Sequence, residues 1–399
     1  MKIAVLGGAG KMGTGIVRDL VSKESQGIER VIVADANIER AKKLVEELKS
    51  RKVEATRLNV TNKEEAINLL KRADVCMNAV PTFVGHQMDI FHYCLEARCP
   101  YLDLGGMGIY TEKQKAEHEK WVKKEIPAIV ALGSDPGLSN MLCKAVAEKL
   151  DEINKINLYW AAKLIGPESP VFVPPYSILT LLGEYAHNSK QFINGKLVER
   201  PPQSGKQTLV LPQPFGEMEF IHSQHSEVAT VSFAKGIKDK GIKEFTWRLH
   251  LADEEHEVIK SLIKVGFGDF NQPLKIKGME ILPGEFLEAL IERNIEKNKN
   301  RIPEQTDYEM HFAIGEGKKG GKNTKVTCIL YSFPDPFFED YNDPATSMSA
   351  SIGAQMLGRE KIPPGVWGPE ECLEVKEFFS ELKKRHFRIT MKTEIEEEM

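Results

Sequence analysis

Lys2-Ile-Ala-Val-Leu6-Gly7-Gly8-Ala9-Gly10-Lys11-Met12-Gly13 decides the fold. A short apolar run passes at once into glycines spaced G-x-G-x-x-G at Gly8, Gly10 and Gly13, and a helix pattern follows. Strand, glycine turn and helix in that order form a mechanism for holding a dinucleotide. Gly8 is expected to permit the tight turn, Gly10 to let the backbone approach a pyrophosphate, and Gly13 to let the helix lie close on the strand. The helix start, at Lys11 and Met12, then offers N–H groups and a positive dipole end to phosphates. Val31-Ile-Val-Ala-Asp35 reads as a second buried strand that ends in a carboxylate, 22 residues beyond Gly13. A carboxylate there accepts hydrogen bonds from ribose hydroxyls and repels a 2′-phosphate, which favours NAD. Arg40, five residues further on, leaves NADP open. The bland alternative for Asp35 is a helix N-cap with no ligand.

The chain has 399 residues, enough for two or three domains. Hydrophobic residues are 41 % and charged residues 28 %, the balance of an ordinary globular protein. A net charge of −4 gives no sign of a nucleic-acid partner. No apolar run approaches membrane-spanning length, and the N-terminal run lacks a signal-peptide pattern. The six cysteines form no C-x-x-C pair, so buried free thiols, a cytoplasmic location and no metal site are expected.

Up to residue 135, strand and helix patterns alternate. Strands are expected at 53–60, 75–78, 101–104 and 127–132, with helices between them. This predicts an α/β, Rossmann-type, doubly wound parallel sheet with its ligand edge at the strand C-termini. Along that edge fall Asn59 and Val60, where adenine would lie. Asn78, Val80 and Pro81 follow, beside the expected nicotinamide ribose. Then come Asp103-Leu-Gly-Gly106, with Asp103 a candidate substrate contact, and Gly133-Ser-Asp-Pro-Gly137. Each could be turn chemistry alone. From about residue 151 longer, irregular strand patterns predict an α+β substrate domain on a mixed, largely antiparallel sheet. Lys318, Lys319 and Lys322 are expected at a hairpin tip. The small-residue helix 345–357, the elbow 362–370 and an amphipathic helix after it should return to the first domain. The acidic end, 394–398, reads as a loose tail. The expected division is 1–135 with 346–399 for the dinucleotide domain, and 136–345 for substrate binding and dimerisation.

Several of these segments together resemble the saccharopine dehydrogenase superfamily, in particular its saccharopine reductase and lysine 6-dehydrogenase branch. They are the opening Leu6-Gly-Gly-Ala-Gly-Lys-Met-Gly13, Gly133-Ser-Asp-Pro-Gly-Leu-Ser-Asn140, Ser177–Tyr185 with Asn194-Gly195, Phe245-Thr-Trp-Arg248, and Ile362-Pro-Pro-Gly-Val366 with Pro369-Glu370. The resemblance implies NAD(P)-linked hydride transfer at a C–N bond of an amino acid, and a homodimer. It also implies that Arg248 holds a substrate carboxylate. Trp160-Ala-Ala-Lys163 stands where that branch usually has a Gly-Gly pair, bringing bulk and a cation toward the expected pocket.

Oxidising an amine requires a neutral nitrogen, so a proton acceptor is needed at pH 7. Asp135, which matches an aspartate that the family uses near its substrate, is the first candidate, against a plain Asp-Pro turn. His225 is the second, as an imidazole that titrates near neutrality, against a structural histidine. Glu227 could pair with a substrate ammonium. Two other readings stay open: a carboxynorspermidine-type reductase acting on another amine or imine, and an NAD-binding sensor without turnover.

Overall fold

The computed structural model describes residues 1–105 and 108–396 of the chain, so Gly106 and residues 397–398 of the acidic end lie outside it. The strands are β1 Lys2–Leu6, β2 Arg30–Asp35, β3 Val53–Arg57, β4 Val75–Asn78, β5 Tyr101–Asp103, β6 Pro127–Ile129, β7 Glu152–Ile165, β8 Ser189–Ile193 and β9 Lys196–Arg200. They continue as β10 Gln207–Leu211, β11 Gly216–His222, β12 Glu244–His250, β13 Leu274–Ile276, β14 Met279–Ile281, β15 Thr306–Lys319, β16 Lys322–Ser332, β17 Gly365–Trp367 and β18 Arg388–Ile395.

The first sheet has seven strands in the order β17-β6-β5-β4-β1-β2-β3, all parallel. Strand order reverses between β1 and β4, the switch point where an open α/β sheet binds ligands. Its strands are buried on both sides, as a parallel sheet requires. Val5, Val33, Met77 and Ile129 face one core, and Ala4, Ile32, Cys76 and Tyr101 face the other.

The second sheet runs β10-β11-β12-β7-β15-β16-β18, with the hairpin β8–β9 attached to β12. It is antiparallel except for the parallel pair β12–β7, so the expected mixed sheet is present. β7 and β15 are each fourteen residues long. Asn194 and Gly195 both take positive φ and turn the β8–β9 hairpin. Gly320 and Gly321 turn β15 into β16 at the expected lysine-rich tip.

The two sheets share one core. The inner side chains Leu158, Trp160 and Leu330 of the second sheet join Val5 and Met77 of the first through the helices Leu138–Glu148 and Pro344–Arg359. The small residues of Pro344–Arg359 allow close approach. A Cβ at Gly15 would meet Ser347 Oγ at 2.3 Å, and one at Gly353 would meet Leu132 Cδ2 at 2.1 Å. Asp343 caps this helix by accepting the Thr346 N–H at 2.8 Å. A buried ion pair fastens the next helix: Arg385 donates to both oxygens of Asp19 at 2.8 and 3.0 Å, and to Glu381 Oε2 at 3.1 Å.

The elbow contains β17, which pairs with β6 at the edge of the first sheet. The first two residues of the acidic end, Glu394 and Ile395, are not loose: they close β18, which pairs along its length with β16. The segment 346–399 is therefore divided between both sheets rather than given to the first. Among the described residues all six cysteines are free, five of them buried, and no helix is long and apolar enough to cross a membrane.

Candidate active site

The glycine turn sits at the C-terminal end of β1. Gly7, with φ of 69°, takes the left-handed conformation in the tight turn that the sequence reading assigned to Gly8. Gly8 is held small by Val5 O at 2.9 Å and Val33 Cγ1 at 3.0 Å from where its Cβ would be. Gly13 is held by the loop, since its Cβ would fall 2.2 Å from Gly7 O. At Gly10 only Gly7 O lies within reach, at 3.1 Å, so the loop is open where a phosphate would approach. The helix Lys11–Leu20 starts at Gly10 with no side-chain cap, which leaves its first N–H groups to an external acceptor. A Cβ at Gly7 would meet the Ala79–Val80 peptide at 3.0 Å, so the loops after β1 and β4 come close across the switch point.

Asp35 ends β2 on the same edge. It accepts the Ala9 N–H at 3.0 Å and the Asn37 N–H at 2.9 Å, one on each oxygen. Each oxygen keeps a lone pair, which fits a vicinal diol. The helix cap that sequence alone left open for Asp35 belongs instead to Asn37, whose side chain accepts the Arg40 N–H at 3.1 Å. This turn, the open position at Gly10 and the Asp35 carboxylate fit a dinucleotide, which supplies hydride exchange when bound. Asn59 makes a tight turn, accepting from Thr61 N at 3.1 Å, and Val60 packs beneath it on the apolar cluster of that side.

Asn78 and Asp103 differ from expectation. Asn78 is buried: its Oδ1 accepts the Val80 N–H at 3.1 Å and its Nδ2 donates to Tyr101 OH at 3.1 Å. It shapes the Val80–Pro81 loop instead of presenting its side chain to a cofactor. Asp103 is 0 % exposed and accepts five hydrogen bonds, from Gln87, Tyr101, Gln114, Gly105 N and Ala131 N. That carboxylate anchors the loops after β5 and β6, and it is not a substrate contact in this fold.

A cleft of about 830 Å³ opens between the two sheets. Asp135 enters it from the loop after β6, and His311 from β15. Asp135 Oδ2 lies 2.5 Å from His311 Nε2, and Ser134 Oγ lies 2.9 Å from the same nitrogen. Asp135 Oδ1 and His311 Nδ1 are buried without a partner. Sequence reasoning missed His311. The signal available was a histidine within the strand pattern 308–314, alternating with Met310 and Phe312.

His225 also lines the cleft, stacked on Trp247 with centroids 3.9 Å apart. Its Nδ1 is 2.6 Å from Glu227 Oε2 and its Nε2 is 3.6 Å from Glu184 Oε1. Burial works against the charged ring, but Glu227 and Glu184 outweigh it and raise His225 to about 10. The ring is an imidazolium at neutral pH, not the neutral relay expected. Glu227 is fully buried behind it, taking a second hydrogen bond from Ser139 Oγ at 2.6 Å. It serves His225 and leaves no edge toward a substrate ammonium.

The other cleft carboxylates are Glu184, Glu304, Asp307, Glu309, Asp335, Glu339 and Asp343, and no Lys or Arg stands among the described lining residues. Partial burial and the neighbouring carboxylates of Asp307, Asp343 and Asp135 push Glu309 well above the usual range. The described wall is thus rich in carboxyl groups, with the His225 imidazolium as its cation.

Arg248 is not on it. Side chains alternate along a strand, so Trp247 faces the cleft and Arg248 the far side of the sheet. There Arg248 Nε donates to Gly205 O at 2.8 Å, and Nη1 donates to Thr246 Oγ1. It stacks over Tyr159. Lys163 likewise points away, donating to Phe215 O at 3.0 Å, whereas Trp160 does line the cleft.

Residues 3–129 match the saccharopine dehydrogenase NADP binding domain, and residues 133–387 match the saccharopine dehydrogenase C-terminal domain. Among solved structures, apo saccharopine dehydrogenase (L-Glu forming) from Saccharomyces cerevisiae aligns over 98 % of this chain and 99 % of its own at 14 % identity, with a TM-score of 0.72. At that identity the likeness is one of fold. A probable dehydrogenase from Thermotoga maritima covers 98 % of both chains at 10 % identity, with a TM-score of only 0.42. The boundary between the two matched domains falls just before Ser134 and Asp135, where the chain leaves the nucleotide sheet for the cleft. Glycine turn, switch point and second sheet thus lie within two matched domains that span nearly the whole chain: this protein is an NAD(P)-binding oxidoreductase and belongs to the saccharopine dehydrogenase family.

Proposed function

We propose that this protein transfers hydride between a nicotinamide dinucleotide, with NAD preferred over NADP, and a nitrogen-bearing carbon of an amino acid such as lysine or saccharopine. The observation that carries this reading is the Asp135–His311 contact at the nucleotide end of an acid-lined cleft. An ammonium must lose a proton before its carbon can give up hydride. The paired carboxylate and imidazole offer a place for that proton, and Asp135 Oδ1 is unpartnered. Carboxylates around the cleft attract the ammonium and hold it in register. His225, kept as an imidazolium, supports the binding of a substrate carboxylate in the place first given to Arg248. The Asp35 carboxylate supports NAD.

A second reading, a reductase or dehydrogenase of another amine or imine of the carboxynorspermidine type, is favoured by the lack of Lys or Arg on the described cleft wall. A sensor without turnover would have no use for the Asp135–His311 pair. A homodimer in solution belongs to the same proposal, and light scattering would test it.

A panel of lysine, saccharopine and aliphatic diamines, assayed with NAD and with NADP by nicotinamide absorbance, tests these readings. Turnover of an amino acid is expected. Turnover confined to diamines would select the second reading, and none with any amine would sink both.

A further inference from the structure

A second cavity, of about 440 Å³, lies on the far face of the second sheet, where Arg248 points. Its wall includes Arg200 at the end of β9, Ser204 and Gly205 in the following loop, His222 on β11, and Glu244 and Arg248 on β12. Nothing in the hydride-transfer reading uses it. We infer that this cavity is a binding site for a small oxyanion, a phosphate or a carboxylate, separate from the cleft.

Unsatisfied donors carry the inference. Buried polar atoms are normally hydrogen-bonded, and each exception needs an explanation. His222 is only 6 % exposed, yet neither ring nitrogen has a partner, and Ser204 Oγ is buried and unpartnered too. Arg248 uses Nε on Gly205 O and Nη1 on Thr246 Oγ1, which leaves Nη2 over for a ligand. The backbone of Arg200 belongs to the β8–β9 ladder, but its guanidinium makes no hydrogen bond or ion pair among the described residues and lines the cavity. Guanidinium groups, an imidazole N–H and a hydroxyl converge on one space, and Glu244 is the single carboxylate on the described wall. Two fixed cations against one anion leave a net positive lining that is rich in donors, the complement of an oxyanion. Burial, with Arg248 and Arg200 nearby, holds His222 down at about 4, so at neutral pH the ring offers one N–H and one acceptor nitrogen. The ring also sits directly over Gly205, where a Cβ would meet it at 2.0 Å, so its position is fixed by the backbone.

The test follows the ring signals of His222 in histidine-labelled, full-length protein, at constant ionic strength. One arm titrates inorganic phosphate and the other acetate. The expected result is a saturable shift at His222 in at least one arm, with His225 and His311 unmoved. Which arm saturates tells a tetrahedral from a planar ligand. Arg200→Gln should weaken the apparent affinity about tenfold, since a charge-assisted contact is lost. Should that variant not fold, Ser204→Ala removes a donor from the same loop and should weaken it several-fold. A shift linear in both anions, no shift, or the same saturation curve in the folded variant would overturn the site and leave the cleft chemistry untouched.

Discussion

Asp135 Oδ2 lies 2.5 Å from His311 Nε2, and so ties a loop on the nucleotide sheet to a long strand of the second sheet. Under the proposed reaction this pair takes the substrate proton. His311→Asn keeps a polar group of similar size but cannot hold a proton in the working range. It should lower kcat by about 100- to 10,000-fold, the usual worth of a positioned acid or base, with little change in the KM for NAD. Steady-state kinetics on a variant that melts like the wild type would check it, and undiminished turnover would remove the pair from the chemistry.

His225 makes stability depend on pH. Its folded pKa, raised to about 10 chiefly by Glu227 and Glu184 against the cost of burial, lies above the unfolded value of 6.5. Protons therefore bind more tightly to the folded state. The contribution is complete below the unfolded value and is lost as pH rises through about 10. Between about pH 7 and the folded value, the wild-type Tm should fall more steeply than that of His225→Gln. Parallel curves from calorimetry would show that the ring is not held charged.

Asp35 is predicted to set coenzyme choice. Asp35→Ser removes the negative charge and leaves two cations at that edge: Arg57, the register partner of Asp35 on β3, and Arg40 in the next helix. The ratio of kcat/KM for NADP to that for NAD should rise by about tenfold or more, since rejection of a 2′-phosphate there is electrostatic. An unchanged ratio would separate Asp35 from the ribose. Some loss of stability should accompany the change, because Ala9 N and Asn37 N lose their acceptors.

Arg385 joins the helix Lys11–Leu20 to the C-terminal helix Val375–Lys384 with both partners fully buried. Arg385→Met strands the Asp19 carboxylate and should cost about 3–5 kcal/mol, measured by urea unfolding. Adding Asp19→Leu should recover much of that loss, since an apolar pair replaces an unpaired charge. A single variant as stable as the wild type would show that the ion pair does not fasten the helices.

The parts of this molecule legible in sequence are those fixed by local covalent rules. Gly13 must be small because Gly7 O is 2.2 Å from its missing Cβ, and that constraint is written within seven residues. Asp35 is legible because β2 follows at a fixed distance. Arg248 was misplaced because a motif names a residue but not the face of its strand. Trp247 and Arg248 are neighbours in sequence and lie on opposite sides of the sheet. His311 went unnoticed because its meaning comes from Asp135, 176 positions away, and from the register that sets it opposite Trp160. Glu394 and Ile395 read as the start of a tail because the partner of β18, β16, is distant in sequence. Asp103 had the right edge but the wrong surroundings, since Gln87 and Gln114 close over it from helices that only the fold brings together.

The outermost strand at one end of each sheet comes from the last stretch of chain: β17 beside β6, and β18 beside β16. Without that stretch, β6 and β16 are bare margins able to pair with another copy. Cutting the chain after Pro344–Arg359 should yield sticky, aggregating material rather than a smaller working enzyme, because it strips one margin from the coenzyme lobe and one from the catalytic lobe at a single stroke.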